Sequence, residues 1–207
     1  MEKLRIAIAF DNVVANVAKL YALVAERFCE RRISWEYFSR DYVIGRGWLM
    51  EEEYAGIEKR AWSQWSMQVL ESMPGAQYYL ELLTAQTEYE LFIITSHTKG
   101  QFLLLDEWLE KNGLNFTPRI GVHSISNREL FLQALDADVY VSADSKDLIK
   151  WAGAVKRPLL FPWAYNRYDN LPSKIERIRN VWPGSSWENV YHSVKEISAA
   201  KQSLTIT

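Results

Sequence analysis

The sequence predicts an α/β fold, a Rossmann-like parallel sheet flanked by helices, with a small helical cap inserted after the first strand. Short apolar runs alternate with longer segments of helical spacing, which is typical of an open α/β sheet. The apolar runs are almost continuously hydrophobic, and this indicates a sheet covered on both faces. A long helical interval without a strand follows the first run and predicts the cap.

Five apolar runs predict five strands. They are rich in Val, Ile, Leu, Phe and Tyr and span four to seven residues, a usual length for buried strands. The predicted strands are residues 4–10, 90–96, 119–122, 138–142 and 158–161. Functional sites in such sheets lie at the carboxyl ends of the strands, so the residues that follow each run are the candidates for chemistry.

The helical interval predicts how the chain is divided. Residues 1–16 and 74–200 are expected to form the α/β core, and residues 17–73 the cap over the active edge of the sheet. Within the core, residues 99–113 read as a helix that ends at a glycine, a common helix terminator. Residues 201–207 are expected to be a disordered tail, because chain ends without packing partners fray.

Composition restricts the partners and the compartment. The chain has 207 residues and a formal net charge of −2, and this balance argues against binding long nucleic acid or a membrane surface. Cys29 is the single cysteine, so no intrachain disulfide is possible, and a lone thiol suits a reducing compartment. The sequence shows no secretory signal and no long apolar span. We therefore expect a cytoplasmic protein, and the sequence leaves its oligomeric state open.

Four segments follow strand ends and carry a family resemblance: "AFDNVVAN", "IITSHTK", "VSADSKD" and "FPWAYNR". Their order and spacing resemble the haloacid dehalogenase-like (HAD-like) superfamily of phosphotransferases. The nearer resemblance is to cytosolic 5′(3′)-deoxyribonucleotidase-like proteins. It extends over "MPGAQYYLELL", "LLDEWLEKNG" and "SSWENV", and so covers most of the chain. The resemblance implies a HAD-like core with an inserted cap, in agreement with the fold expected from the sequence pattern.

The resemblance also implies a reaction. In that superfamily the first strand ends in an Asp-x-Asp pair, of which the first aspartate attacks phosphorus and the second is the general acid and base. A Thr or Ser and a Lys hold the phosphoryl oxygens, and acidic residues after the fourth strand help to hold Mg²⁺. Metal and cation are needed because a carboxylate nucleophile and a phosphate dianion repel each other.

Carried over to this chain, the resemblance places Ala9 at the nucleophile position and Asp11 at the acid/base position. A shifted register with Asp11 as nucleophile would put a valine at the second aspartate and is no better. Thr95, with Ser96 beside it, matches the phosphate-binding hydroxyl. Arg128 is the only cation near the position of the lysine, and an arginine can clamp phosphate as a bidentate donor.

The metal position is also altered. The paired acids expected after the fourth strand occur as Ala143 and Asp144, so a second carboxylate is missing. Asp11 and Asp144 remain as candidate metal ligands, and Asp147 is either a further acid or an ordinary residue of a first helical turn. Mg²⁺ is implied by the resemblance alone, and we expect no bound metal, because Mg²⁺ needs several oxygen ligands.

Nine tryptophans are a large number for this length, and three of them lie in the predicted cap. Trp62 and Trp65 are better explained as its core than as a binding surface. Trp48 lies in a glycine-flanked loop and is the better candidate to contact a base, since stacking on an aromatic ring contributes about 1–3 kcal/mol. Arg46 beside it is a candidate to reach an anion.

These residues predict a pseudoenzyme, a nucleotidase-like protein that is catalytically impaired and binds a phosphate compound or nucleotide. Alanine cannot attack phosphorus, and phosphate monoester hydrolysis needs accelerations of up to roughly 10²¹-fold. Two alternatives stay open: an active Mg²⁺-dependent nucleotidase or phosphatase that uses Asp11 and Asp144, and a structural or protein-interaction role. A laboratory substitution at Ala9 is a further alternative, which the second departure at Ala143 disfavours. Thr95 as a helix cap and Arg128 as a solvated helix residue are the plain readings of those side chains.

Overall fold

A six-stranded, wholly parallel sheet forms the centre of the protein. The structure is a computed structural model that describes residues 3–95, 99–114, 119–121, 125–179 and 186–204. In this part of the chain the strand order is β3-β2-β1-β4-β5-β6. The strands are β1 (Leu4–Ala9), β2 (Tyr89–Thr95), β3 (Arg119–Gly121), β4 (Val139–Ser142), β5 (Arg157–Leu160) and β6 (Glu176–Arg177). The predicted fold class is confirmed.

The strand bounds agree closely with the apolar runs, because the residues of β1, β2, β4 and β5 are mostly buried. Each of the five predicted strands occurs, and its ends differ from the prediction by at most one residue. The sixth strand, β6, pairs with β5 at the edge of the sheet. Its two residues, Glu176 and Arg177, are charged, so no apolar run marked them.

Helices cover the sheet and form the inserted lobe. They are α1 (Val17–Cys29), α2 (Arg40–Gly45), α3 (Glu51–Ala61), α4 (Gln64–Val69), α5 (Ala76–Thr84), α6 (Lys99–Lys111), α7 (Ile125–Ala134), α8 (Ser145–Trp151) and α9 (Ser186–Leu204). Short 3-10 helices occur at Trp35–Tyr37 and Ala152–Ala154. Helices α1 to α4 occupy the interval predicted as the cap. Among the described helices, none has both the length and the apolar character needed to span a bilayer.

The last helix extends further than expected. We predicted a disordered tail from residue 201, but α9 continues to Leu204. The Lys201 ammonium lies 3.0 Å from the carboxylate of Asp138, a buried residue at the start of β4. This ion pair attaches the last turns of α9 to the sheet and explains why residues 201–204 are helical. Residues 205–207 lie outside the described part of the chain.

The cap shares its hydrophobic core with the sheet. The ring of Phe10, just after β1, lies 6.4 Å from the ring of Trp62 in the cap and 5.4 Å from that of Trp108 on α6. The Trp62 indole donates a hydrogen bond to the Tyr21 hydroxyl on α1, at 3.2 Å. The Trp108 indole donates to the carbonyl of Leu70 at 2.9 Å. Cap and sheet are therefore packed as one body.

The turn after β1 is held by two buried tryptophans from the far end of the sequence. The Trp163 indole donates to the carbonyl of Asn12 at 2.8 Å, and the Trp187 indole donates to the carbonyl of Val13 at 2.7 Å. Asn12 has a φ of 60°, a left-handed conformation that asparagine tolerates better than most residues. Its side-chain oxygen accepts from the backbone N–H of Ala18 at 2.7 Å and so connects the turn to α1.

Replacement of Trp187 by phenylalanine tests this bracing. The indole is fully buried, so Trp187→Phe leaves the carbonyl of Val13 without its donor and also creates a small cavity. We expect the free energy of unfolding, measured by urea denaturation, to fall by about 1–3 kcal/mol. Tyr78→Phe, at a residue that is 59% exposed, is the control and should change it by less than about 0.5 kcal/mol. Equal effects of the two substitutions would contradict the bracing role.

Candidate functional site

A cleft of about 610 Å³ lies where β1, β2 and β4 end, beneath the cap. It brings together residues that are far apart in the sequence. Seven positions singled out from the sequence line it: Ala9, Asp11, Thr95, Arg128, Ala143, Asp144 and Asp147. The topology explains this, because the carboxyl ends of adjacent parallel strands meet at one edge of the sheet.

Ala9 and Asp11 enter the cleft from β1. Ala9 is the last residue of that strand and is 8% exposed, so a methyl group faces the cleft where the resemblance implies a nucleophile. Asp11 follows in the turn that the two tryptophans hold and is half-buried. Thr95 ends the neighbouring strand β2 and is 3% exposed. The hydroxyl and the methyl group thus lie on adjacent strand ends.

Ala143 and Asp144 enter from β4. The Asp144 carboxylate caps α8 by accepting from the backbone N–H of Asp147 at 3.1 Å. The carbonyl of Ala143 accepts from the side-chain amide of Asn166 at 2.9 Å. Asn166 is 1% exposed and also donates to the carbonyl of Phe161, so it holds this strand end in place.

The described residues do not fit a magnesium site. No group of three or more His, Cys, Asp or Glu side chains is placed to hold a metal ion anywhere in residues 3–95, 99–114, 119–121, 125–179 and 186–204. Asp11 and Asp144 are two carboxylates at the cleft, and Asp144 is already engaged as a helix cap. Mg²⁺ requires near-octahedral oxygen coordination, so we derive no step through this metal.

Arg128 lines the cleft in an ion pair. Its guanidinium lies 2.7 Å from the carboxylate of Asp147, and its guanidinium carbon lies 4.7 Å from the centre of the Trp151 ring. Its side chain is 11% exposed, and within the described residues its buried Nε–H has no hydrogen-bond partner. The plain reading of Arg128 as a solvated helix residue is therefore wrong. Its predicted role as a phosphate clamp requires an anion that displaces or joins Asp147.

The titration of Asp147 reflects this burial. The pKa of the Asp147 carboxyl is raised to about 6, because burial and the neighbouring Asp144 carboxylate raise it more than Arg128 and Lys150 lower it. The pKa of Arg128 is raised: burial alone would lower it, but Tyr140 and Asp147 outweigh that effect. The arginine is therefore charged at all ordinary pH values, whereas its partner gains a proton under mildly acidic conditions.

The other cations at the cleft are also paired. Lys146 on α8 lies 2.7 Å from Asp41 on α2 and joins the core to the cap. Arg40 lies 2.9 Å from Glu51 within the cap. Among the described residues that line the cleft, three cations stand against six carboxylates. An anion that enters must therefore exchange with existing ion pairs.

Aromatic rings of the cap line the cleft, and sequence reasoning missed them. They are Tyr21, Phe38, Tyr42 and Tyr54, joined by Tyr165 from the core. Tyr21 lies edge-on to Phe38 and Tyr54, with ring centres 6.2 and 5.9 Å apart. A signal was present for one of them, since Tyr54 and Glu58 are four residues apart and share one face of α3.

Two predicted cap residues lie elsewhere. Neither Arg46 nor Trp48 lines the cleft. The guanidinium carbon of Arg46 lies 5.2 Å from the centre of the Tyr42 ring, and the Trp48 ring lies 5.5 Å from the same ring. Trp65 is 42% exposed beside Arg27 instead of forming cap core. Ser96 lies outside the described residues.

The fold defines a class: an α/β protein with the architecture of HAD-like hydrolases. No protein-family model matches the sequence, and no curated protein matches it. Solved structures do match. A HAD-like family hydrolase from Xanthomonas campestris aligns with a TM-score of 0.58 and 12% identity, over 96% of this chain and 93% of the other.

Two further structures lead to the same architecture. A HAD family hydrolase from Deinococcus radiodurans R1, solved with bound phosphate and sodium, aligns with a TM-score of 0.58 and 14% identity, over 95% of this chain and 96% of the other. A putative β-phosphoglucomutase from Thermotoga maritima aligns with a TM-score of 0.56 and 14% identity, over 95% and 99%. Identities this low show the fold, which is that of HAD hydrolases.

Asp147→Asn tests the buried ion pair through pH. The folded-state pKa of about 6 exceeds the unfolded value of about 4, so the folded state binds the proton more tightly. Asp147 therefore makes the free energy of unfolding decrease as pH rises from about 4 to 6, by at most about 3 kcal/mol. We expect urea denaturation to show that Asp147→Asn gains stability relative to the unmodified protein across this window. A difference that does not change with pH would contradict the raised pKa.

Proposed function

We propose that this protein is a nucleotidase-like pseudoenzyme that binds a phosphate compound or nucleotide in the cleft without hydrolysing it. The observation that carries the proposal is the methyl group of Ala9 at the end of β1, inside the cleft and beside Asp11. A phosphoenzyme needs a nucleophile at this point, and a methyl group has no lone pair to offer.

The cleft has more carboxylates than cations, but it repels an anion less than the superfamily pattern would. Compared with the superfamily pattern, Ala9 and Ala143 remove two carboxylates, and this reduces the repulsion of an anion. Asp41 and Asp147 are neutralised by their ion pairs with Lys146 and Arg128. A phosphate group is therefore best accommodated near the Thr95 hydroxyl and the Arg128 guanidinium, away from Asp11. Because it must exchange with Asp147, binding should be weak and sensitive to salt.

The aromatic lining supports a ligand with a planar group. Tyr42, Tyr54 and Tyr165 line the cleft together with the ion-paired residues, so a base and a phosphate fit into one cavity of about 610 Å³. This is the size of an ordinary small-molecule site. Stacking of a base on such a ring contributes on the order of 1–3 kcal/mol, which compensates for weak contacts with the phosphate.

An active Mg²⁺-dependent phosphatase is the second candidate, favoured by the presence of Asp11 and Asp144 in the cleft. The binding protein and the phosphatase differ in whether the bound phosphate compound is hydrolysed. Incubation with a panel of nucleotides and Mg²⁺ is expected to release no phosphate above background. Release that Asp11→Asn abolishes would establish the enzyme and end the pseudoenzyme proposal. The Asp11→Asn protein is also the control for contaminating phosphatases, because contamination would survive the substitution.

Introducing aspartates at positions 9 and 143 tests whether the two alanines weaken Mg²⁺ binding and so prevent catalysis. The double variant Ala9→Asp, Ala143→Asp returns carboxylates beside Asp11 and Asp144. We expect it to bind Mg²⁺ measurably by isothermal titration calorimetry, at least about tenfold more tightly than the unmodified protein, since the two added carboxylates supply oxygen ligands beside Asp11 and Asp144. The matched control is Ala55→Asp, because Ala55 is exposed on α3. Ala137→Asp is unsuitable as a control, because Ala137 is buried in the core. Equal Mg²⁺ affinity in all three proteins would show that the two alanines are not the cause.

Ligand binding is tested by thermal shift with nucleotides and inorganic phosphate. A ligand at about ten times its Kd adds roughly 1.4 kcal/mol of stability, which raises Tm by about 3–6 °C in a chain of this size. Thr95→Val removes the cleft hydroxyl and keeps the shape of the side chain, so it should reduce the shift. Thr84→Val, at the end of α5, should not. Failure of every phosphate compound to stabilise the protein would leave the structural or protein-interaction role.

A further inference from the structure

A second, larger groove lies beside the cleft, between the cap and the segment that follows β5. It has a volume of about 1460 Å³ and shares Asp41, Tyr42, Tyr165 and Asp169 with the cleft. Two residue types dominate its lining. We call it the aromatic–arginine groove, defined by Trp35, Tyr37, Tyr42, Trp163, Tyr165 and Tyr168 and by Arg46, Arg167, Arg177 and Arg179.

The rings are arranged in contact with one another. Trp163 stacks on Tyr165 with ring centres 5.5 Å apart and planes 20° from parallel, and Trp35 lies edge-on to Trp163 at 5.5 Å. Tyr37 stacks on Tyr42 at 5.4 Å. Trp35 is 37% exposed and Tyr37 is 36% exposed, so these rings offer apolar surface to a partner. The exposed rings of Trp35 and Tyr37 form a platform for planar groups, and Trp163, which is 7% exposed, packs against Trp35.

Tyr168 extends this platform into solvent. It is 86% exposed, and the guanidinium of the adjacent Arg167 lies 5.5 Å from its ring centre. An aromatic ring that contacts little protein contributes little to folding, since the hydrophobic gain depends on burial. Arg167 and Tyr168 therefore place a cation beside an aromatic ring. A nucleotide, which has an anionic phosphate and a planar base, can contact both.

The charge of the groove is locally positive. Its four arginines face three acids, Glu36, Asp41 and Asp169. Asp41 is already paired with Lys146, and Asp169 accepts a hydrogen bond from the Ser145 hydroxyl. Arg177 is used internally, because it donates to the backbone carbonyls of residues 166 and 169. The exposed arginines that remain for a ligand are Arg46, Arg167 and Arg179.

We propose that the aromatic–arginine groove binds a short single-stranded nucleic acid, with bases stacked on its rings and phosphates beside its exposed arginines. The groove is more than twice the volume of the cleft, so it suits several nucleotides in place of one. A protein partner would use the apolar surface but would not require the surplus of arginines. The formal net charge of −2 restricts the interaction to a short strand, because the positive charge is local.

Fluorescence anisotropy with labelled oligothymidylate and oligouridylate of about eight nucleotides, within the usual range of single-strand sites, tests the proposal. We expect the protein to bind at low salt and more weakly as salt rises. Tyr168→Ala and Arg167→Gln should each raise Kd by about fivefold or more, the lower end expected for loss of one stacked base. Arg167→Gln should also make the salt dependence less steep. The two oligonucleotides show whether the site distinguishes DNA from RNA.

Matched controls are available on other surfaces. Tyr78→Ala replaces a ring that is 59% exposed on α5, and Arg32→Gln replaces an arginine whose side chain is 88% exposed; neither should change Kd.

Thr95→Val should also leave oligonucleotide binding intact, so failure of the cleft as a nucleotide site and failure of the groove are distinguishable. No binding at low salt, or equal losses in control and groove variants, overturns the proposal. Equal affinity for inorganic polyphosphate, which has no bases, overturns it as well. A change of sedimentation in the groove variants without any oligonucleotide binding would identify the face as a contact between protein copies.

Discussion

Two indole N–H groups hold the turn on which the cleft is built. Trp163 and Trp187 donate to the carbonyls of residues 12 and 13, and so determine the path of the backbone directly after β1. The Trp187 bond is buried and the Trp163 bond is partly buried, and a buried carbonyl without its donor costs about 1–3 kcal/mol. The turn is therefore rigid, and both Ala9 before it and Asp11 within it have definite positions relative to Thr95 on the neighbouring strand. Tryptophan supplies this bracing because it combines a large apolar surface with one directional donor.

Paired charges dominate the chemistry of the cleft. Arg128 is nearly buried, and an isolated guanidinium there would be very unfavourable, so Asp147 compensates it. A phosphate that binds to Arg128 must therefore compete with the Asp147 carboxylate, which already pairs with it. Lys146 is likewise engaged by Asp41, and this contact ties the cap to the core. Both cations thus have partners within the protein, and an incoming anion would have to compete with those partners.

The neighbouring groove has the opposite balance. Its arginines exceed its acids, and three of its rings, those of Trp35, Tyr37 and Tyr168, are exposed, whereas the cleft has more acids than cations. The two sites meet at Tyr42 and Tyr165, so an occupant of one can contact the edge of the other. A protein with a small negative net charge can thus present a locally positive, aromatic surface, because charge acts over about one Debye length of roughly 8–10 Å. The net charge of the whole sequence does not reveal such a local surface.

The sequence by itself determined five of the strands, the inserted helical lobe and the residue types at the strand ends. Continuous apolar runs and the residues that follow them are local patterns, and a parallel sheet brings its strand ends together at one edge. Only the tertiary structure decided the partners: Arg128 meets Asp147 across 19 positions, and Trp187 reaches Val13 across 174. It also placed Trp48 outside the cleft. Such contacts depend on how helices pack over the sheet, and no periodicity along the chain encodes which side chains then meet.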